Sequence, residues 1–160
     1  MERVDALNGA LGQNRCIVCG LANPEGMRAC FRVEGETVVC EHTFDDRWIG
    51  YPGLVHGGAT SAIMDDLLVW TLAGLRKKLS FTVDLHLRFR APVHVGRKLR
   101  MVGKLTGDRR GIFSVDGSMA DVASGETLTE ASARLIVVSR EKFIEITGVP
   151  EIAPEWLAYF

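Results

Sequence analysis

The stretch from Tyr51 to Val69 reads YPGLVHGGATSAIMDDLLV, and the rest of the chain is arranged around it. Pro52 and Gly53 mark a turn. After Gly58 the sequence continues to Gly74 without proline and consists mostly of good helix formers. It therefore predicts a loop that leads into a helix from about Gly58 to Gly74. Because this helix is apolar nearly all round, we expect it to be buried on most sides, as a sheet wrapped around it would achieve.

Two glycines, Gly57 and Gly58, lie where the predicted helix begins. The first amides of a helix have no intrahelical acceptor and carry the positive end of the helix dipole. Without side chains in the way, a carbonyl oxygen can approach these amides closely. The pair therefore predicts a site that stabilises negative charge on a carbonyl oxygen.

Two adjacent acidic residues, Asp65 and Asp66, lie two turns into the helix. Asp65 shares its face with Gly58, since seven residues make nearly two full turns. Its other neighbours on that face are small or apolar, so its carboxylate must be paired, hydrogen-bonded or used in chemistry. Asp66 is rotated by about 100° from Asp65, and we expect it to point to solvent at the helix edge.

Strands dominate the rest of the chain. The clearest is Ser80–Arg90, where one predicted face holds Phe81, Val83, Leu85, Leu87 and Phe89 and the other holds Thr82, Asp84, His86, Arg88 and Arg90. Further strands are expected over 27–33, 36–44, 97–105, 112–120 and 128–138, with a bulge at Gly117. No second helix separates the later strands, so the sheet should be antiparallel. The fold class is therefore α+β, a curved antiparallel sheet wrapped around one long central helix.

Several motifs occur together in a fixed order. They are Pro52–Gly58 as PG-x-VHGG, Asp65 nine residues after His56, Thr82-Val83-Asp84-Leu85 after the helix, and Cys16-Ile17-Val18-Cys19-Gly20 before it. Over about residues 16–138 the chain resembles the hotdog-fold acyl-CoA thioesterases, in the phenylacetate-pathway (PaaI-like) branch with its animal thioesterase superfamily members. The resemblance implies a hotdog fold and a homodimer or homotetramer with two pockets at the interface. We expect a single domain over 1–160, with a lead-in over 1–27, a short helix over Val4–Leu11, and a tail over 139–160.

The resemblance also implies hydrolysis of acyl-CoA to a free acid and CoA. Asp65 would act as general base to a water, or as nucleophile through a mixed anhydride, while the Gly57 and Gly58 amides polarise the carbonyl. Relatives use a hydroxyl at the position of Thr82 to help place the water. His56 is expected to hydrogen-bond either the pocket loop or the substrate. Relatives carry Asn or Gln about six residues before the histidine, whereas this chain has Gly50, which leaves the group that orients the leaving group open.

Coenzyme A carries phosphates, which the fork of donors on arginine suits. The predicted substrate and CoA residues are Arg88, Arg90, Arg109, Arg110 and Val55. With 19 basic against 20 acidic residues, nothing in the charge favours a nucleic-acid partner. The longest apolar stretch contains two aspartates, so no membrane partner is expected, and no cofactor is predicted.

Four cysteines are present, Cys16, Cys19, Cys30 and Cys40. The N-terminus is too polar for a secretory signal, so we expect them to stay reduced in the cytoplasm. A structural zinc site usually takes four ligands from two pairs, and Cys30 and Cys40 stand alone. We therefore interpret Cys16 and Cys19 as small buried residues in a turn and predict no metal site.

Two other functions are compatible with the same motifs. One is a non-catalytic module that binds acyl-CoA or lipid, since fold alone does not settle function. The other is a hotdog dehydratase or hydratase, which would need a catalytic histidine paired with an acid. Asp65 beside an intact Gly-Gly loop favours the thioesterase interpretation.

Overall fold

The structure, a computed structural model, describes residues 15–152 and 154–160. The helix expected over Val4–Leu11 lies outside these residues. The strands and helices are β1 Phe31–Glu34, β2 Thr37–His42, β3 Ile49–Tyr51, β4 Leu54–Val55, α1 Gly57–Arg76, β5 Ser80–Phe89, β6 Leu99–Arg109, β7 Ile112–Asp121, β8 Thr127–Val137 and α2 Arg140–Thr147.

Six strands form one antiparallel sheet in the order β1-β2-β6-β7-β8-β5, and α1 packs against it. A small hairpin of β3 and β4 lies in the loop before α1. This curved sheet around one long central helix confirms the predicted α+β hotdog fold. In the described part of the chain, no helix is both long and apolar enough to cross a membrane.

The helix lies unusually close to the middle of the sheet because two paired glycines face it. Gly103 on β6 is paired with Gly117 on β7. A Cβ at Gly103 would overlap Thr71 Oγ1, and one at Gly117 would lie 2.9 Å from Leu68 Cδ2. The predicted bulge at Gly117 is therefore wrong, since the pairing is regular there and the glycine serves close packing. The irregularity in this pairing lies instead in β8, where Leu128 is the extra residue, because Met119 pairs with Thr129 and Ala120 with Thr127.

A bulge in β5 changes the side on which its first residues lie. Thr82 pairs with Leu135 of β8 whereas Asp84 pairs with Arg134, so Val83 is the extra residue. One extra residue in a strand moves every side chain on one side of it to the opposite face. The predicted alternation is thus wrong before the bulge, because Thr82 faces α1 together with the buried Leu135 rather than sharing a face with Asp84.

The tail packs its aromatic residues together beside β5. Phe143 of α2 has its ring 6.1 Å from Phe81, 5.4 Å from Trp156 and 5.5 Å from Phe160. Phe81 is available for this cluster because it lies before the bulge, on the side away from Thr82. The tail therefore covers apolar surface at the start of β5.

Candidate active site

His56 caps the N-terminus of α1. Its backbone is extended, and its Nδ1 accepts a hydrogen bond from Gly58 N–H at 2.8 Å. Its own N–H donates to Trp48 O at 2.7 Å, which holds the preceding loop against the helix. A Cβ at Gly58 would lie 2.9 Å from His56 Nδ1, so this cap depends on glycine. Of the two roles expected for His56, the structure supports a hydrogen bond to the loop, and the Gly58 amide is occupied by it.

Gly57 presents the amide that remains. Among the described residues its N–H has no hydrogen-bond acceptor, and the residue is exposed. It borders a cavity of about 330 Å³. The walls of this cavity include Tyr51, Val55, Thr60, Phe89 and Arg90. A carbonyl oxygen that enters the cavity can therefore meet one helix N-terminal donor, from Gly57 rather than Gly58.

Asp65 is held by a threonine on the neighbouring strand. Thr82 Oγ1 donates a hydrogen bond to Asp65 Oδ1 at 2.8 Å, and both residues are half-buried. The bulge at Val83 turns Thr82 toward α1 and so makes this contact possible. Within the described residues Oδ2 of Asp65 has no hydrogen-bond donor, which leaves it able to accept a proton.

The Gly57 amide and the Asp65 carboxylate of one chain are too far apart to act on one carbonyl group. Eight residues separate them, which corresponds to about 12 Å along the helix axis. Reacting atoms must approach to about 3–3.5 Å. A shared helical face is therefore not sufficient to bring both groups to one carbonyl group. Within a single chain, the Gly57 amide and the Asp65 carboxylate lie at different sites.

Asp66 does not point to solvent, and that expectation is wrong. The residue is only partly exposed, and its Oδ2 is enclosed with no hydrogen-bond partner among the described residues. Burial, followed by the nearby Cys16 charge, raises the pKa of Asp66 to about 7. One ligand atom each from Cys16, Cys19 and Asp66 all lie within 4.8 Å of one another. The lead-in covers this face of α1, a tertiary contact that helical periodicity does not reveal.

The predicted CoA arginines are not brought together within one chain. Arg90 lines the cavity beside Gly57 and forms an ion pair with Glu130 at 2.6 Å. Arg88 lines a larger cavity of about 580 Å³ on the sheet face away from α1. Arg109 and Arg110 lie at the β6–β7 turn, level with the start of β5 rather than its end. The length of β5, roughly 26 Å over eight residues, separates them from Arg90.

Although the cavity on the outer sheet face is the larger, we place the candidate site at the smaller one. The larger cavity contains no helix terminus, and neither Asp65 nor Gly57 lines it. The smaller cavity is lined by a helix N-terminal amide and by apolar side chains.

Two features of the site were not predicted from the sequence. The first is Gly50: a side chain there would place its Cβ 2.9 Å from His56 Cα, so the position fits glycine and offers no group to the leaving thiol. The second is the apolar wall formed by Tyr51 and Phe89, both strongly exposed. The signal in the sequence is an aromatic residue directly before Pro52-Gly53 and another at the end of the alternating strand.

Comparisons with known proteins bear on the family and the fold. A family model described as Thioesterase superfamily matches residues 52–117. Thioesterase superfamily member 2 of zebrafish superposes with a TM-score of 0.69 at 14% identity, over 85% of this chain and 96% of that chain. A hypothetical thioesterase of Streptococcus pneumoniae, solved with coenzyme A, gives a TM-score of 0.62 at 16% identity, over 68% and 89%.

A phenylacetic acid degradation-related protein of Ralstonia eutropha gives a TM-score of 0.61 at 21% identity, over 70% of this chain and 86% of that chain. No curated protein matches the sequence. At these identities the solved structures establish the fold alone. Together with the family model they confirm the resemblance to hotdog thioesterases that the sequence motifs indicated.

Proposed function

We propose that this chain is a member of the thioesterase superfamily and hydrolyses acyl-CoA thioesters. The observation that carries the proposal is the hydrogen bond from Thr82 Oγ1 to Asp65 Oδ1, on a helix whose first amide lacks an acceptor among the described residues. A fixed carboxylate and a helix N-terminal donor are the two groups that thioester hydrolysis requires.

In the proposed reaction, the thioester carbonyl oxygen accepts a hydrogen bond from Gly57 N–H. Asp65 removes a proton from a water as that water attacks the carbonyl carbon, and negative charge develops on the oxygen facing Gly57. Collapse of the tetrahedral intermediate breaks the carbon–sulfur bond, and the proton held by Asp65 passes to the CoA sulfur. If Asp65 attacks directly instead, a mixed anhydride forms and water then hydrolyses it. Thr82 orients Asp65 in both routes.

The proposed enzyme needs two chains, because Gly57 and Asp65 of one chain are about 12 Å apart along the helix. β5 lies at the edge of the sheet, pairs only with β8 among the described strands, and is ten residues long. Val83 and Phe89 on it are 56% and 54% exposed. A long edge strand with exposed apolar residues presents unpaired backbone N–H and C=O groups, which can pair with a strand of another chain. Gly57 of one copy and Asp65 of the other then share one thioester.

The substrate side of the proposal rests on the cavity beside Gly57. Phe89 and Tyr51 offer apolar contacts, and Arg90 is the predicted arginine positioned to meet a phosphate. Arg88, Arg109 and Arg110 of the same chain do not line this cavity. The pneumococcal thioesterase solved with coenzyme A supports CoA as the carrier.

The test measures thiol release from a panel of acyl-CoAs by wild type, Asp65→Asn and Asp66→Asn. Asp65→Asn should lower kcat by at least about a hundredfold, because it removes the base or nucleophile. Asp66→Asn is the matched control: it is the neighbouring residue with the same isosteric change, and it should retain most of the activity.

Circular dichroism and size-exclusion chromatography establish that both variants are folded and assembled. Equal losses in two folded variants would contradict the assignment of Asp65. Wild type that binds acyl-CoA without releasing thiol would instead show the non-catalytic binding module. The dehydratase alternative requires a catalytic histidine paired with an acid, whereas Nδ1 of His56 accepts a hydrogen bond from Gly58 N–H.

A further inference from the structure

The lead-in and α1 together assemble a second cluster of reactive groups. Cys16 Sγ, Cys19 Sγ and a carboxylate oxygen of Asp66 all lie within 4.8 Å of one another. We propose that these three residues bind one zinc(II) ion, which fixes the lead-in to a face of α1 rotated by about 100° from the Thr82–Asp65 contact. The expectation of no metal site considered the cysteines and histidines alone, because Asp66 lies some fifty positions from the two cysteines in sequence.

The backbone of the turn that carries the cysteines already directs two amides at Cys16 Sγ. Gly20 N–H donates to Cys16 O at 3.1 Å and closes the turn. The amides of Val18 and Cys19 point at Cys16 Sγ, at 3.4 and 3.5 Å. Such donors favour the thiolate form that a metal requires, and they orient the ligand as outer hydrogen bonds do at known metal sites.

The turn is also held firmly against the rest of the domain. Met27 N–H donates to Ile17 O at 2.8 Å, and Ala29 N–H donates to Val18 O at 2.9 Å. Val18 and Cys19 are buried. Both sulfurs therefore face α1 from a fixed backbone, with no need for the chain to fold around the ion.

The Asp66 carboxylate is a second observation that points to a bound cation. Its Oδ2 is enclosed and has no hydrogen-bond partner among the described residues. A buried carboxylate oxygen without a partner is costly, and a cation held by the Asp66 carboxylate and the two sulfurs offsets that cost.

The three ligands, two thiolates and one carboxylate, indicate which metal would bind. Two thiolates exclude magnesium and calcium, which prefer oxygen ligands, while two sulfurs with one carboxylate suit tetrahedral zinc. Cys16 is the more exposed of the two cysteines, so water from its side completes the tetrahedron. The ion has a structural role, since Asp65 turns to β5 and not to the cysteines.

The test uses full-length protein without a histidine tag, kept reduced, loaded with zinc and then desalted. Elemental analysis should give about one zinc per chain. Cobalt(II) in place of zinc should produce thiolate-to-metal charge transfer and the visible bands of a tetrahedral site. Cys16→Ser and Cys19→Ser should each lower the affinity for zinc at least tenfold, since even outer-sphere changes cost about 10–100-fold.

Two variants keep the proposal open to refutation if the serine variants fold poorly. Asp66→Asn is nearly isosteric and should weaken zinc binding and shift the cobalt bands while circular dichroism stays unchanged. Cys30→Ser is the control and should bind zinc as wild type does.

Absence of zinc and of cobalt bands in reduced wild type would overturn the proposal, as would equal losses in Cys30→Ser and Cys16→Ser. A Cys16–Cys19 disulfide in protein that takes up no metal after reduction would overturn it in favour of a redox pair. None of these readouts uses thioester hydrolysis, so a failure here is distinguishable from failure of the proposed function.

Discussion

Replacing Gly57 by proline tests the proposed oxyanion donor, because the proline ring takes the place of the amide hydrogen. Proline has no N–H, and the first position of a helix tolerates it well. The preceding residue, His56, has φ −61° and ψ 133°, in the extended region that a residue before proline prefers. A Cβ at position 57 would meet Phe89 Cζ at 3.8 Å, an ordinary contact. We therefore expect Gly57→Pro to fold as wild type does while losing the donor.

The expected loss follows from the role of the amide. Removal of one oxyanion donor costs about 10²–10³-fold in kcat, or roughly 2.7–4 kcal/mol of transition-state stabilisation. Gly57→Ala is the matched control, because it adds the same Cβ but keeps the N–H, and it should stay within a few-fold of wild type. Steady-state thiol release at saturating acyl-CoA is the assay. Equal losses in the alanine and proline variants would refute the reasoning, because sterics rather than the donor would then be responsible.

The same variant tests whether two chains share each site. In a heterodimer of Gly57→Pro and Asp65→Asn chains, one composite site carries both defects and the other carries neither. Random mixing makes half of the dimers mixed, so about a quarter of the wild-type rate should return from two nearly inactive proteins. If both groups acted within one chain, mixing would restore nothing, and the second-copy arrangement would be wrong.

Two further predictions concern the fold rather than the reaction. Gly103→Ala should lower the free energy of unfolding by about 1–3 kcal/mol in urea titrations, because its Cβ would overlap the buried Thr71 hydroxyl. Gly107→Ala is the control and should stay near wild type, since its Cβ would lie 3.5 Å from Ser114 Cβ. Equal effects of the two changes would count against the packing argument. Burial lowers the pKa of His42 from 6.5 and outweighs the nearby Asp45. The stabilising contribution of the neutral ring is therefore fully present above pH 6.5 and is lost as the pH falls below 6.5 and through the lowered pKa of the folded state. His42→Gln should therefore show a smaller drop in urea midpoint between about pH 7.5 and about pH 5.5 than wild type, and an unchanged drop would exclude His42 as the source.

Most of the scaffold could be predicted from local sequence patterns. The helix expected over 58–74 spans Gly57–Arg76, because an unbroken run of apolar helix formers is a strong signal. The strand expected over 80–90 spans Ser80–Phe89 for the corresponding reason at period two. The Gly-Gly loop was likewise correctly placed at the helix start, since glycine, proline and the cap residue act locally.

What the sequence could not predict depends on contacts between distant segments. The alternation of Thr82-Val83-Asp84 is clean, and only the pairing of β5 with β8 creates the bulge that turns Thr82 to Asp65. The relative positions of the predicted arginines also depend on strand register, since residues on adjacent strands can lie at opposite ends of the sheet. The availability of the Gly57 amide, rather than that of Gly58, depends on the rotamer of His56.

The adjacent pair Asp65 and Asp66 shows how one helical turn can serve two sites. A rotation of about 100° between neighbours directs Asp65 to Thr82 on β5 and Asp66 to the cysteines of the lead-in. Both carboxylates are carried by the same turn of backbone, so neither can shift along the helix without moving the other. Asp65 nevertheless has its own hydrogen bond to Thr82, which involves neither Asp66 nor the cysteines. The Asp66→Asn change can therefore weaken the lead-in cluster and still leave Asp65 bonded to β5, which is why one variant serves as the control for hydrolysis and as a test of the zinc site.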